Sequence, residues 1–160
     1  MTMTMTMTMT MTLTMTLTMT LTGTPGRVAD PVRRALLDTS VVIDVDVERL
    51  APVAEEFAVS TISLAELAFG LHTVDPLVNA AREERYAWVL ATFAPLTYTP
   101  YAARVFGALC AAVRDAGRDP RPRRFDLLIA SVAVSAALPL VTRNPRDFTG
   151  IPSLRVVPLG

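Results

Sequence analysis

The chain has no lysine, one cysteine and one histidine among its 160 residues. Each shortage closes off a class of function. A lone cysteine excludes an internal disulfide framework. Cys110 lies in the run Val105–Val113, which reads as one buried helix face, so a structural thiol is expected there. Such a thiol fits a reducing compartment, and a cytoplasmic location is expected. With one histidine and one cysteine there is no nitrogen- or sulfur-rich zinc site. His72 follows Gly70 near a helix end, where a surface position suits it better than general-base work. All 15 basic residues are arginine and are balanced by 15 acids, so net charge names no partner. The arginines cluster, however. Arg118, Arg121, Arg123, Arg124, Arg143 and Arg146 could form a basic rim for a phosphate backbone, or simply a solvated charged face.

The N-terminus is low in complexity. Every even position from Thr2 to Thr22 is threonine, and the odd positions are methionine or leucine. A signal peptide needs a basic start and a continuous apolar core, and this tract has no charge before Arg27. Half of it is threonine, which argues against a membrane span, and no membrane partner is expected. Strict alternation suits a strand, but a strand without a partner is not stable. Residues 1–31 are therefore expected to be a disordered extension, the product of a repeated six-base unit near a misassigned start. Native translation is then expected near Val28 or Val32. Residues 32–160 are enough for one domain with a sizeable core.

In that domain, Arg33–Asp38 reads as a buried first strand and Thr39–Val47 as a helix. Glu56–Ser60 is a second strand. Thr61–Leu71 is a helix with Leu64, Leu67, Ala68 and Leu71 on one stripe. Leu77–Phe93 is a helix in which Ala81, Glu84, Trp88 and Ala91 recur at near-helical spacing. Leu96–Tyr98 is a third strand, and Tyr101–Ala116 a helix closed by Gly117. Asp119–Arg124 is a loop and Phe125–Ala137 an apolar, buried helix. Leu138–Thr142 is a fourth strand, Asn144–Phe148 a loop, and Leu154–Pro158 a last short strand. Strands alternating with helices imply an α/β fold with a short, mostly parallel sheet between helical layers. In such sheets, sites gather beyond the carboxyl ends of the strands.

Acids fall at those ends. Asp38 follows the first strand, Asn144 and Asp147 follow the fourth, and Glu66 stands in the early turns of the helix after the second. Asp126 is the only charge between Phe125 and Ala137. Taken alone, Asp126 reads more readily as an acid favoured in a helix's first turn. As part of a set, it points elsewhere. Four carboxylates on one rim repel each other, and a hard divalent cation relieves the repulsion. Mg²⁺ or Mn²⁺ suits all-oxygen ligands, and an acidic Mg²⁺ site points to phosphate chemistry.

LLDTSVVID around Asp38, STISLAEL around Glu66, FDLLIAS around Asp126 and LVTRNPRDF around Asp147 together resemble the PIN-domain toxins of the VapC type, in the right order. The resemblance spans about Arg33 to Pro158. It implies a three-layer α/β/α PIN-like domain over residues 32–160 and a Mg²⁺-dependent endoribonuclease. It further implies a cognate VapB-type antitoxin and a homodimer. By motif, Asp38 and Asp126 would be the metal ligands, with Glu66 and Asp147 completing the catalytic set directly or through water. Thr39, Ser40, Thr142 and Asn144 would be supporting polar groups. Alternatively, Asp147 caps the turn before Phe148 while Asn144 faces the metal. Arg121, Arg123, Arg124, Arg143 and Arg146 are the candidates to steer RNA.

Other readings compete. Asp44 and Asp46 form a D-x-D, as in phosphatases with an aspartyl nucleophile, but those families and receiver domains use a lysine that is missing here. That pair and Glu48 read as a solvated helix end. A catalytically weak PIN-like module that binds RNA or a partner is disfavoured by the complete acid set, and a PIN nuclease of RNA processing by the short chain. The helix surfaces Leu64–Leu71 and Leu77–Phe93 could bind an antitoxin or a second copy, but core packing is expected for most of their residues.

Overall fold

The structure is a computed structural model that describes residues 32–160; the expectations for the Met/Thr extension lie outside these residues. Four strands form the sheet: β1 (Val32–Leu37), β2 (Ala54–Ala58), β3 (Leu140–Thr142) and β4 (Val156–Pro158). Their order is β2-β1-β3-β4, and every pairing is parallel. The helices are α1 (Thr39–Ile43), α2 (Val47–Leu50), α3 (Thr61–Phe69), α4 (Pro76–Thr92), α5 (Pro100–Asp115) and α6 (Arg124–Ser135). Short 3-10 turns at Arg121–Arg123 and Pro145–Phe148 precede α6 and follow β3.

The central strand explains the layering. Ala35, Leu36 and Leu37 of β1 are fully buried, and successive side chains of a strand point to opposite faces. Leu36 joins a core with Ala102 and Leu109 of α5 and Leu127, Ile129 and Val132 of α6. Ala35 and Leu37 join a second core with Val41, Val42 and Leu50. Two cores back to back across one sheet make the α/β/α sandwich expected from the sequence. A fully buried leucine or isoleucine contributes about 1.5–3 kcal/mol, so both faces hold β1 in place.

Caps set the helix starts. The Ser60 hydroxyl accepts from the Ser63 amide at 2.9 Å, the Thr99 hydroxyl from Ala102 at 3.1 Å, and the Asp75 carboxylate from Leu77 at 2.9 Å. Pro76 and Pro100 occupy first-turn positions where no amide donor is needed. As expected, Gly117 follows α5 in the left-handed region at φ 72°, and its amide donates to the Arg114 carbonyl.

Four expectations need correction. The helix over Thr39–Val47 breaks at Asp44, because the Asp46 side chain accepts from the Arg49 amide and starts α2 anew. The strand at Leu96–Tyr98 shrinks to one bridge between Leu96 and Ser60. Its neighbour has already turned into α3, and the Tyr98 amide donates to the Thr61 hydroxyl instead. Phe125, placed in a wholly buried helix, is half-exposed at the start of α6. Most of Leu77–Phe93 does not pack in the core: only Val89 of α4 is buried. Of the spaced residues there, Ala81, Ala91 and Glu84 gain little from burial, and Trp88 is 37% exposed with Arg85 over its ring.

Candidate active site

The carboxyl ends of β1 and β3 carry the first two elements of the site. Asp38 leaves β1 with its amide donating to the Val141 carbonyl at 2.9 Å, and it is almost fully buried. Although it stands at the N-cap of α1, its carboxylate makes no capping bond. Instead, Oδ2 accepts from the Ser40 hydroxyl at 2.6 Å and from the Thr142 hydroxyl at 2.8 Å. Those hydroxyls are held in turn. The Arg143 amide donates to Ser40 at 3.2 Å, and the Asn144 amide to Thr142 at 3.0 Å. A buried carboxylate needs such donors, and here two of them come from segments about a hundred residues apart in sequence.

Glu66 reaches the same rim from α3. Its Oε2 accepts from the Thr39 hydroxyl at 2.5 Å. Burial raises its pKa above the ordinary value, the Thr39 hydrogen bond opposes the rise, and the Asp38 charge adds to it. Asp126 enters from the first turn of α6. Its pKa is pushed up to about 6, first by burial, then by the charges of Asp38, Asp147 and Glu66, with Arg123 pulling the other way. The charges of the three other acids picked from the sequence thus all act on Asp126. Asp147, in the turn after β3, is half-exposed and lies 3.7 Å from the Arg123 guanidinium. The Asn144 side chain makes no capping bond and stands exposed.

The donor set is all oxygen and strained by like charge, which is chemistry suited to a hard divalent cation. Among the described residues, no three Asp, Glu, His or Cys side chains converge closely enough to hold one ion as they stand. A pair of carboxylates is the most that could ligate one ion directly in this arrangement.

The arginines divide into two groups. Arg123 donates to the Asp147 carbonyl at 3.0 Å, and Arg143 is tied to Asp44 through its carboxylate at 3.2 Å and its carbonyl at 2.6 Å. Arg121, Arg124 and Arg146 are exposed. Asp44 is thus a partner of Arg143 and Asp46 a helix cap, while His72 is exposed.

The sequence reading missed a groove that runs from the acids between α3 and α4. It has a volume of about 570 Å³ and is lined by Thr39, Glu66, Ile43, Leu67, Val78 and Arg85, among others. Arg82 donates to the Gly70 carbonyl at its edge, and Arg85 stacks over Trp88 with its guanidinium 5.8 Å from the ring centre. The spacing Val78, Ala81, Arg82, Arg85 is a helical stripe, and it was the signal available.

A PIN-domain family model matches residues 35–152. The chain is 30% identical over 129 residues to Ribonuclease VapC4 of Mycobacterium tuberculosis (strain ATCC 25618 / H37Rv), covering 79% of this chain and 97% of that protein. It is similar to the crystal structure of VapBC-5, a member of the VapBC family of toxin-antitoxin systems from Mycobacterium tuberculosis. The TM-score is 0.67 at 30% identity, over 78% of this chain and 98% of that one. Likeness to DNA-bound VapBC from Salmonella typhimurium gives a TM-score of 0.65 at 27% identity, over 81% of this chain and 99% of that one. The chain belongs to the PIN-domain family. Within that family, its likeness is to a VapC ribonuclease and to chains of VapBC complexes.

Proposed function

We propose that this chain is a Mg²⁺-dependent endoribonuclease and the toxin of a VapBC-type pair. The observation that carries the reading is that Asp38, Glu66 and Asp147, from three other segments, lie near enough to Asp126 for their charges, with burial, to push its pKa up to about 6. An acid whose only task was to cap a helix would gain nothing from three acidic neighbours. Asp38 and Asp126 would hold the ion, and Glu66 and Asp147 would complete its shell through water. When bound, Mg²⁺ (or Mn²⁺) supplies charge for a phosphoryl oxygen and acidifies a water.

The chain's own groups do the rest. Ser40 and Thr142 fix the Asp38 carboxylate through Oδ2 and leave Oδ1 free. Thr39 holds Glu66 through Oε2, which leaves Oε1 to orient a water and take its proton. Arg121, Arg124 and Arg146 offer exposed guanidinium groups to the RNA backbone. Arg123 and Arg143 shape the rim through Asp147 and Asp44.

For the partner, the reading is a VapB-type antitoxin segment laid in the groove between α3 and α4. Support comes from the VapBC relatives and from the groove's continuity with Glu66 and Thr39. A homodimer is the proposed assembly, checked by light scattering. No helix of the described residues is long and apolar enough to cross a membrane, and a cytoplasmic place of action is part of the proposal.

The test is cleavage of RNA by the purified chain with and without Mg²⁺, beside Asp38→Asn and Asp126→Asn. Loss of cleavage on chelation and in both variants is expected. Variants that cleave like the parent would overturn the metal mechanism.

A further inference from the structure

A second concavity lies at the opposite end of the sheet, where β1 begins, α6 ends and the chain turns into β4. Its volume is about 660 Å³. Beside the exposed Arg33, the lining holds Arg34 of β1 and Arg155 just before β4. Among the described residues, neither of these two guanidinium groups has an ion-pair or hydrogen-bond partner, whereas Arg118, Arg123 and Arg143 donate to backbone carbonyls. Arg34 is the register partner of Glu56 and stands beside it on the same face of the sheet, yet no ion pair joins them. Acceptors therefore adjoin the arginines: the Glu56 carboxylate and the carboxyl end of α6, where the helix dipole is negative. Val134, Leu138 and Pro139 form an apolar floor.

Backbone strain collects at the same place. Among the described residues, Ala137 (φ 54°) and Ser153 (φ 61°) are the non-glycine residues in the left-handed region, and both line this cavity. For Ala137 the cause is local: it ends α6 with its amide on the Val134 carbonyl, and Leu138 returns to Ala133. Ser153 is the third residue of the turn that begins at Ile151, with Pro152 before it, where a type II turn takes a positive φ.

We propose that this cavity binds a nucleotide. Its phosphate meets Arg34 and Arg155, its hydroxyl and amino donors meet Glu56 and the end of α6, and its base lies on the apolar floor. Guanidinium pairs favour phosphate oxygens, and the acceptors beside them call for a ligand that also donates hydrogen bonds. Inorganic phosphate or a purely apolar ligand satisfies only one part of the lining. The nucleotide can be free or part of an RNA strand. Arg34 stands four residues before Asp38, about 13 Å along β1 at roughly 3.3 Å per residue, so a strand held here is held away from the acids.

The experiment is calorimetric titration of the full chain without divalent cation, so cleavage has no part in it. Three probes are used: inorganic phosphate, adenosine 5′-monophosphate and a 2′-O-methyl oligoribonucleotide. Saturable binding of the mononucleotide tighter than about 1 mM is expected, weakened roughly 10-fold by Arg155→Ala and largely restored in Arg155→Lys. Arg114→Ala, on α5, serves as control and should bind like the parent. If Arg155→Ala also weakens the oligonucleotide, the source is an RNA strand; if it weakens only the mononucleotide, the source is the free compound. Arg34 is half-buried in a strand, so the exposed Arg155 carries the test and Arg34→Lys is the second variant. The proposal is overturned if the mononucleotide does not saturate, if phosphate alone binds equally well, or if Arg155→Ala binds like the parent. The ribonuclease reading survives any of these results, because it depends on the acids at the other end of the sheet.

Discussion

Two helices of this chain do opposite jobs. In α6 the residues Leu127, Ile129, Ala130, Ser131, Val132 and Ala133 are buried, and the buried Ser131 hydroxyl is satisfied by the Leu128 carbonyl at 2.7 Å. In α4, which is longer, only Val89 is buried, and Leu77, Val78, Trp88 and Leu90 face outward. The first helix is held by the core on most of its length, and it delivers Asp126 to a fixed point. The second is anchored near its end by Val89 and Phe93 and otherwise presents surface beside the groove. The comparison separates placement from recognition. Packing supplies the precision that a charged cluster needs, whereas exposed apolar surface is available to a partner.

The largest effect should come from the acid at the head of α6. Asp126→Asn is expected to reduce Mg²⁺-dependent cleavage by about 10³-fold or more. The same substitution should stabilise the metal-free protein at neutral pH. The folded-state pKa, about 6, lies above the ordinary aspartate value of 3.8. The folded state therefore binds this proton more tightly, and stability is lost as pH rises from about 4 through 6. Asparagine has no proton to lose, so its advantage in Tm over the parent should be small at pH 4 and full above pH 7. A Tm that falls at pH 8 would show that Asp126 is a structural cap after all.

Next in size is the body of α6. Ile129→Ala removes a fully buried side chain from the core behind the site and should cost about 2–4 kcal/mol in denaturant unfolding. A value under about 1 kcal/mol would mean that α6 is not the rigid member of the pair. Thr39→Val is smaller. It deletes the hydrogen bond that opposes the raised pKa of Glu66. The Glu66 pKa should rise further, so cleavage should fall most on the acid side and recover as pH increases. An activity ratio to the parent that is the same at pH 6 and pH 8 would remove Thr39 from its positioning role.

The same two helices show what a sequence can and cannot disclose. The α6 assignment followed from a long apolar run with one acid in its first turn, because burial of such a run leaves few arrangements. Asp38 and Asp147 were located by the rule that strand ends face the site. The α4 surface is not legible in the same way: Ala81 and Ala91 at helical spacing fit a core and a solvent face equally well, and Trp88 beside Arg85 is partly exposed rather than buried. Thr39 could be placed near Asp38, but its bond to Glu66 joins two segments 27 residues apart. No local pattern carries that pairing. The segment at Leu96 forms only a bridge for a related reason: β-forming residues are present, but β2 ends at Ala58 and its continuation at Ser60 caps α3.

The smallest predicted effect tests the exposed member directly. Leu77 of α4 is 83% exposed, so Leu77→Ser removes little buried surface. Stability should change by no more than about 0.5 kcal/mol, and cleavage of RNA should match the parent, because Leu77 is not among the residues that line the groove with Glu66. If α4 serves a partner, the cost appears only there: binding of a cognate antitoxin measured by titration should weaken while fold and catalysis stay as they were. Val78→Ser, at the lining of the groove, should weaken it more than Leu77→Ser. Equal affinity for parent and both variants would leave α4 as an exposed helix with no partner on this face, and the division of labour between the two helices would reduce to α6 alone.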